Sequence, residues 1–351
     1  MKSTNPVQPS GGPAPAPAAR LGNFVRRPEM ASFIGLVAVL VFFSFFGGTS
    51  FLSPSGAASW LNVAAELGII ALPVGVLMIA GYLDISIGAV IPASSMTIAI
   101  ISGHFHAPIL IGIIAALALG LVVGFINGML VVRTAVPSLI VTLATLFAVA
   151  GLTLGLSVIL TGSTSVAIDG GPIAKLLLGQ FVDKAFEVII FWWIAIVLVA
   201  GFVLHFSRYG NWIFALGGDK ESARNAGIPT DRLTIVLFLF SGTCASFVGL
   251  SQALLYNSAQ VSAGQSFIFN SIISVVIGGV LLTGGYGSIV GIVLGTLTFS
   301  IVNQGIYYTG FNANWASLII GVLLFAAVLM NNTFRTMALA YAPRAKGGAK
   351  P

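Results

Sequence analysis

Residues 207–232 read SRYGNWIFALGGDKESARNAGIPTDR and form the only long polar, charged segment lying between apolar runs. The segment holds Arg208, Asp219, Lys220, Glu221, Arg224, Asp231 and Arg232. Around it the 351-residue chain is 57% hydrophobic and only 7% charged, with a mean hydropathy of +1.05. A soluble domain carries roughly 25% charged residues, so this chain lies far outside that class. The fold therefore turns on two questions: how many apolar runs stand on each side of residues 207–232, and which side of a membrane that segment faces.

A helix needs roughly 20 mostly apolar residues to cross the hydrocarbon core. Runs near 30–47, 61–80, 85–103, 108–131 and 138–160 precede the segment, and runs near 187–205, 233–256, 267–283, 288–307 and 314–331 complete the set. Only GYLD (81–84) divides the second from the third. With ten spans and the N-terminus inside, the cytoplasmic cations are Lys2, Arg20, Arg26, Arg27, Arg133, Arg208, Lys220, Arg224, Arg232, Arg335, Arg344, Lys346 and Lys350. Lys175 and Lys184 alone fall outside. Miscounting one early span would put Arg208–Arg232 opposite the N-terminal arginines, so the positive-inside bias supports an even count with both ends cytoplasmic.

The expected fold is thus an all-α polytopic membrane protein. A Pro/Ala/Gly-rich, disordered cytoplasmic tail (1–29) precedes a ten-span domain (30–331) carrying the loop 207–232, and a cytoplasmic tail (332–351) follows. The apolar run after Arg26 has full-span length and no small-residue cleavage motif, which favours a span over a cleaved signal. The single cysteine, Cys244, excludes an intrachain disulfide. Despite the net charge of +6, the basic residues flank apolar runs instead of forming a stripe, which points to membrane orientation and away from nucleic acid.

Glycine accounts for 42 residues and much of it is patterned. Gly120, Gly124 and Gly128 recur in the fourth span, and Gly287, Gly291 and Gly295 in the ninth. Spacing of four puts small residues on one helix face, where backbones approach closely in lipid. The likeness of GLVVG to GIVLG, five spans apart and so crossing in opposite senses, fits an inverted repeat of spans 2–5 and 7–10. Pro73, Gly75, Gly81 and LLTGGYGS (281–288) favour broken helices, found in transporters where backbone lines a cavity or gate.

Few ionisable groups lie within the spans. Glu66, early in the second span, reads as an interfacial residue. Asp84, in LDISIG, either caps the third helix and shapes a gate by accepting N–H groups of Ser86 or Ile87, or contacts a transported molecule. Asn127, Asn270, Asn303 and Gln304 suit interhelical hydrogen bonds or a pathway for polyols. His104 and His106 have no third ligand nearby, so no metal site is expected. There is no G-x-x-x-x-G-K-[ST] phosphate loop and no chain of buried acids or histidines fit for proton relay, which suggests that energy comes from a partner.

Within the loop, GGDKESARNAG reads as a short exposed helix. Gly218 precedes it, Asp219 serves as cap or first-turn acid, and Gly227 with Pro229 ends it. Ala223 and Ala226 offer a small face, while Lys220, Glu221 and Arg224 are solvated. Such a helix suits a groove on another protein, coupled to the flanking spans.

GYLDISIGAV (81–90), VPSLIVTLATLFAVAGL (136–152), RYGNWIFALGGDKESARNAGI (208–228) and GGVLLTGGYGSIVGIVLG (278–295) resemble the membrane-spanning permease subunits of bacterial ABC importers for monosaccharides, the ribose/xylose/arabinose type. Asp84, Ser86 and Gly88 match the family's Gly-Gly-Ile-Asp-Leu-Ser-Val-Gly pattern, whereas Tyr82 replaces a glycine and Ala150 stands where many members have arginine. The resemblance implies a ten-span transport subunit of the bacterial inner membrane that does no bond chemistry. It also implies that residues 218–227 dock on a separate ATPase holding ATP and Mg, that a second permease copy completes the pathway, and that an extracytoplasmic sugar-binding protein feeds it, with residues 163–187 the largest docking surface.

Overall fold

The computed structural model describes residues 28–134 and 136–310, with 312, 315, 317–319, 321–322 and 325 beyond. The expected tenth span (314–331) lies largely outside the described residues, as do the N-terminal residues to 27 and the C-terminal tail. Among the described residues, eight helices are long and apolar enough to cross a membrane.

The chain opens with α1 (Pro28–Phe46), a short α2 (Gly48–Leu52) and α3 (Pro54–Ile79). Ser53 caps α3 by accepting the Gly56 N–H at 3.1 Å, and Pro54 fills its first turn, where a missing N–H costs nothing. The second span therefore starts earlier than the expected residue 61. Next come α4 (Ile87–Ile98), finished by a wide turn over Ala99–His104, then α5 (Ile109–Arg133) and α6 (Ser138–Thr161).

The connection to the second half carries β1 (Ser165–Ala167), α7 (Gly171–Leu178), β2 (Phe181–Val182) and β3 (Phe186–Glu187). It leads into α8 (Ile189–Phe206), α9 (Arg208–Gly218), α10 (Lys220–Asn225) and α11 (Thr230–Tyr256). β4 (Ser258–Gln260), α12 (Gln265–Ile277) and α13 (Ile289–Gly305) follow. The all-helical expectation omits two short antiparallel pairs, β1 with β4 and β2 with β3. The first pair sets Val166 opposite Ala259 and ties the two halves together at the end remote from the charged loop.

At 1.5 Å per residue, α12 is only about 20 Å long. It stops at Ile277, short of the expected 283, because Gly279, Gly284 and Gly285 all take positive φ. This stretch continues to Ser288, which caps α13 by accepting the Gly291 N–H at 3.0 Å. Gly287 therefore precedes the helix and does not share a helical stripe with Gly291 and Gly295, as the four-residue spacing had suggested.

Burial divides the helices. In the most apolar windows of α3 and α4, 83% and 72% of residues are buried, against 17% in α1, α6 and α8. The poorly buried set exposes Phe, Ile, Leu and Val side chains along its length, the surface expected where lipid is the solvent. At the centre, α3 packs on α13 and α11 on α5; α4 lies on α5 and α12 on α13; α4 also meets α11, and α12 meets α3. Gly120, Gly124 and Gly128 of α5 sit against the α11 backbone at Gly242, Phe238 and Ile235, with no room for a Cβ at Gly120 or Gly124. Gly291 and Gly295 instead face Gly278 and Ser274 at the end of α12.

Candidate functional site

Three interruptions in the helical fold meet at one end of the bundle. The first follows Ile79. Gly81 adopts φ +84°, residues 82–85 have no regular secondary structure, and α4 begins at Ile87. Without helical partners, these backbone groups bond to side chains: the Leu83 N–H donates to Ser138 Oγ (3.0 Å) and the Ile85 N–H to Thr142 Oγ1 (3.3 Å).

Asp84 lies inside this turn and is 2% exposed. Its Oδ1 accepts the Ser86 N–H (3.0 Å) and the Ser86 hydroxyl (2.6 Å), and its Oδ2 accepts the Ser241 hydroxyl (2.8 Å) of α11. Asn127 Nδ2 of α5 donates to Ser86 Oγ (2.8 Å), and Thr145 of α6 donates to Asn127 Oδ1 (2.6 Å). One buried carboxylate thus organises a network joining the break to α5, α6 and α11. Of the two roles considered for Asp84, only the Ser86 N–H of the two anticipated donors is engaged, and both oxygens already have donors from the protein.

The other two interruptions are the start of the charged segment and residues 278–288. Ser207 caps α9 by accepting the Tyr209 N–H, and Gly210, Ile213 and Leu216 give the helix a buried face. At its end Gly217 lies against the Ile79 carbonyl and the Gly285 N–H, where any Cβ would collide with backbone. Gly285 N–H itself donates to Ile79 O at 2.8 Å, and a Cβ on Gly284 would stand 3.0 Å from Gly81 Cα. The charged segment is thereby set backbone-on-backbone against both broken helices.

Tyr82 reinforces the contact. Thr234 Oγ1 of α11 donates to its hydroxyl (3.3 Å), Phe238 packs at 6.1 Å, and Lys220 Nζ lies 5.8 Å above its ring. The residue that departs from the family's glycine therefore bridges the break and the segment.

α10 has the anticipated boundaries. Asp219 Oδ1 accepts the Ser222 N–H at 2.6 Å, and Gly227 takes φ +83° beyond the last turn. Hydrogen bonds from Ser222, side chain and then backbone, hold the Asp219 carboxyl below its ordinary value. One expectation for its surface needs correction. Ala223 is buried within the chain, since α10 folds back on α11, and only Ala226 remains outward. Arg224 is exposed, and it also donates to both Asp231 oxygens, at 2.6 and 2.7 Å. The outward face consists of Gly218, Asp219, Glu221, Ser222, Arg224, Asn225, Ala226 and Gly227.

Asp84, Ser86 and Asn127 are thus brought together, and Gly88 sits on the first turn of α4 with Ile268 of α12 against it. Asn270 and Asn303, on α12 and α13, do not join that network; Asn303 Oδ1 accepts from Gln304. Ser138, Thr142, Thr145 and Ser241 were missed. The first three recur at i, i+4 and i+7, one face of a helix, and that periodicity is the signal that reveals them. Glu66 is half-buried: Gln252 Nε2 donates to its Oε2 (2.8 Å), and its Oε1 atom is buried.

Long apolar helices, broken at their junction with a docked charged segment, define a multi-pass membrane permease. A family described as "Branched-chain amino acid transport system / permease component" matches residues 56–328, and the chain belongs to it. A probable ABC transporter permease protein of Sinorhizobium fredii is 34% identical over 78% of this chain and 82% of its own length. The fructose import permease protein of Rhizobium meliloti is 29% identical (89% and 87%), and the ribose import permease protein of Escherichia coli K12 is 28% identical (87% and 94%).

Proposed function

We propose that the chain is the membrane pathway of an ATP-driven importer, taking up a monosaccharide or sugar alcohol by alternating access. It lies in the bacterial inner membrane with ten spans and both ends cytoplasmic. Two copies work with a separate ATPase that grips α9–α10 and with an extracytoplasmic binding protein seated over residues 163–187. The single observation that carries this reading is the glycine junction, which joins the charged segment to both helix breaks through Gly217, Gly81 and Gly285. A push on α10 has no compliant side chain to cross before it reaches Asp84. The sugar substrate is supported by the relatives' names, and the orientation by the placement of arginine and lysine.

An inverted repeat is supported by the helix pairings, though not by the glycines that first suggested it. Exchanging α3 with α11, α4 with α12 and α5 with α13 turns α3–α13 into α11–α5, α4–α5 into α12–α13, and α4–α11 into α12–α3. All these pairs are in contact. GLVVG and GIVLG, in contrast, pack on non-equivalent partners.

Ion-coupled secondary transport draws support from one observation, the buried carboxylates Glu66 and Glu187. Glu66 lies about 20 Å along α3 from Ile79, and Asp84 is fully engaged by hydroxyls and N–H groups, so among the described residues no relay of acids continues inward. Co-purification with the ATPase encoded beside this chain, followed by reconstitution in liposomes, separates the readings. Hydrolysis stimulated by the neighbouring binding protein with sugar establishes the importer. Gradient-driven uptake by the chain alone, with no ATPase partner, overturns it.

A further inference from the structure

At the end of the bundle opposite the charged segment, α3, β3 and α11 enclose a second polar site. Asn62 builds it: its Nδ2 donates to Ala185 O (2.9 Å) and its Oδ1 accepts the Glu187 N–H (3.0 Å), which clamps β3 to α3. One helical turn along the same face is Glu66, and Gln252 Nε2 of α11 reaches its Oε2 at 2.8 Å. Glu187 is 7% exposed.

Glu66 Oε1 and Glu187 Oε2 are both buried and receive no hydrogen bond from the protein. Trp193 Nε1, a third buried atom without a partner, lies a turn deeper, where its indole packs on the Gly68 backbone. Tyr256, one turn beyond Gln252, is 60% exposed. Buried polar groups in native proteins are nearly always bonded, so unmet acceptors converging from separate elements point to a missing donor.

A cation fits this donor set poorly. Among the described residues, no three His, Cys, Asp or Glu side chains gather as ligands, and an amide already occupies one Glu66 oxygen. Nor does a basic side chain neutralise the pair, because the two ion pairs among the described residues, Lys175–Asp169 and Arg224–Asp231, lie elsewhere. Neutral hydroxyls satisfy the requirement, because carboxylate oxygens accept them.

We propose that Glu66, Glu187 and Gln252, entered past Tyr256, form a way-station that holds the hydroxyl groups of a sugar or sugar alcohol between its release outside and its passage through the membrane. The site rests on the importer reading and adds to it a residue-level contact for the substrate.

The test is saturation-transfer NMR on the full chain in nanodiscs with D-ribose, D-fructose and D-xylose as probes. At least one sugar should receive saturation from the wild-type protein. Its apparent affinity should fall at least about tenfold in E66Q and in E187Q, each isosteric and checked for wild-type elution and melting. G151A, at an open and exposed position on α6, should match wild type. Equal transfer to wild type and to both Glu variants overturns the proposal. So does a thermal shift with CaCl2 or NaCl that E66Q abolishes while all three sugars stay inert, since the site would then hold a cation. Uptake by the reconstituted complex distinguishes the two levels: sugar uptake without saturation transfer sinks the way-station alone, whereas transfer without ATP-dependent uptake sinks the importer reading.

Discussion

Asp84 shows how a buried acid is kept without a cation. Three donors from Ser86 and Ser241 fill its oxygens, and Asn127 and Thr145 extend the network. Asp84→Ala leaves the Ser86 N–H and two hydroxyls without acceptors, at about 1–3 kcal/mol for each donor left unpaired. The variant should melt well below wild type and lose transport. In Asp84→Asn the carbonyl oxygen still accepts from Ser86, and the Ser241 hydroxyl turns to accept from the amide. We therefore expect near wild-type melting and most of the uptake; loss of uptake in a stably folded Asp84→Asn would show that the charge itself is required. This part of the site was legible because an aspartate followed two residues on by serine is a local turn signal. Glu66 was not, because its partner Gln252 lies 186 residues away and no local pattern announces it.

At the scale of elements, the glycine junction predicts opposite outcomes at two glycines. Gly217→Ala drives a Cβ into the Ile79 carbonyl and the Gly285 N–H, whereas Gly151→Ala on α6 meets nothing within 4 Å. Gly217→Ala should uncouple ATP hydrolysis from uptake by tenfold or more in the reconstituted complex, on the order of 1.4 kcal/mol of lost coupling, and Gly151→Ala should behave as wild type. Equal uptake by the two variants would break the proposed link between α9 and the helix breaks. Asp219 makes a second claim at this scale. Its carboxyl is held below the ordinary value, so the capping contribution is present at neutral pH and is lost as pH falls through the lowered folded-state value. Asp219→Ala should speed amide exchange at Ser222 and Ala223 at pH 7, and wild type should approach that rate only in acid. The breaks themselves were readable from Gly81 and LLTGGYGS, but which break touches which was not. That depends on backbone approach between Gly217, Gly81 and Gly285, separated by up to 204 positions in sequence and alike in having no side chain to read.

For the whole molecule, hydropathy made the membrane class and most spans legible, since lipid demands long apolar helices. It left the central and peripheral helices undistinguished, because a core and a bilayer both select apolar side chains. The structure separates them by burial, with α3 and α4 inside and α1, α6 and α8 outside. Alternating access by two copies makes a last testable claim. Ile173 on α7 is 73% exposed, at the end of the bundle away from the charged segment, and the sole native cysteine, Cys244, is buried. A spin label on Ile173→Cys should therefore report almost without background. In the reconstituted complex, a pair of copies gives one label–label distance, and ATP binding should shift that distance as the outer ends part or close. An ATPase can drive such a change only by binding the two states with different affinity. No measurable distance would remove the second copy from the assembly. A distance that ignores ATP while uptake continues would place the moving gate elsewhere than the outer ends of the helices.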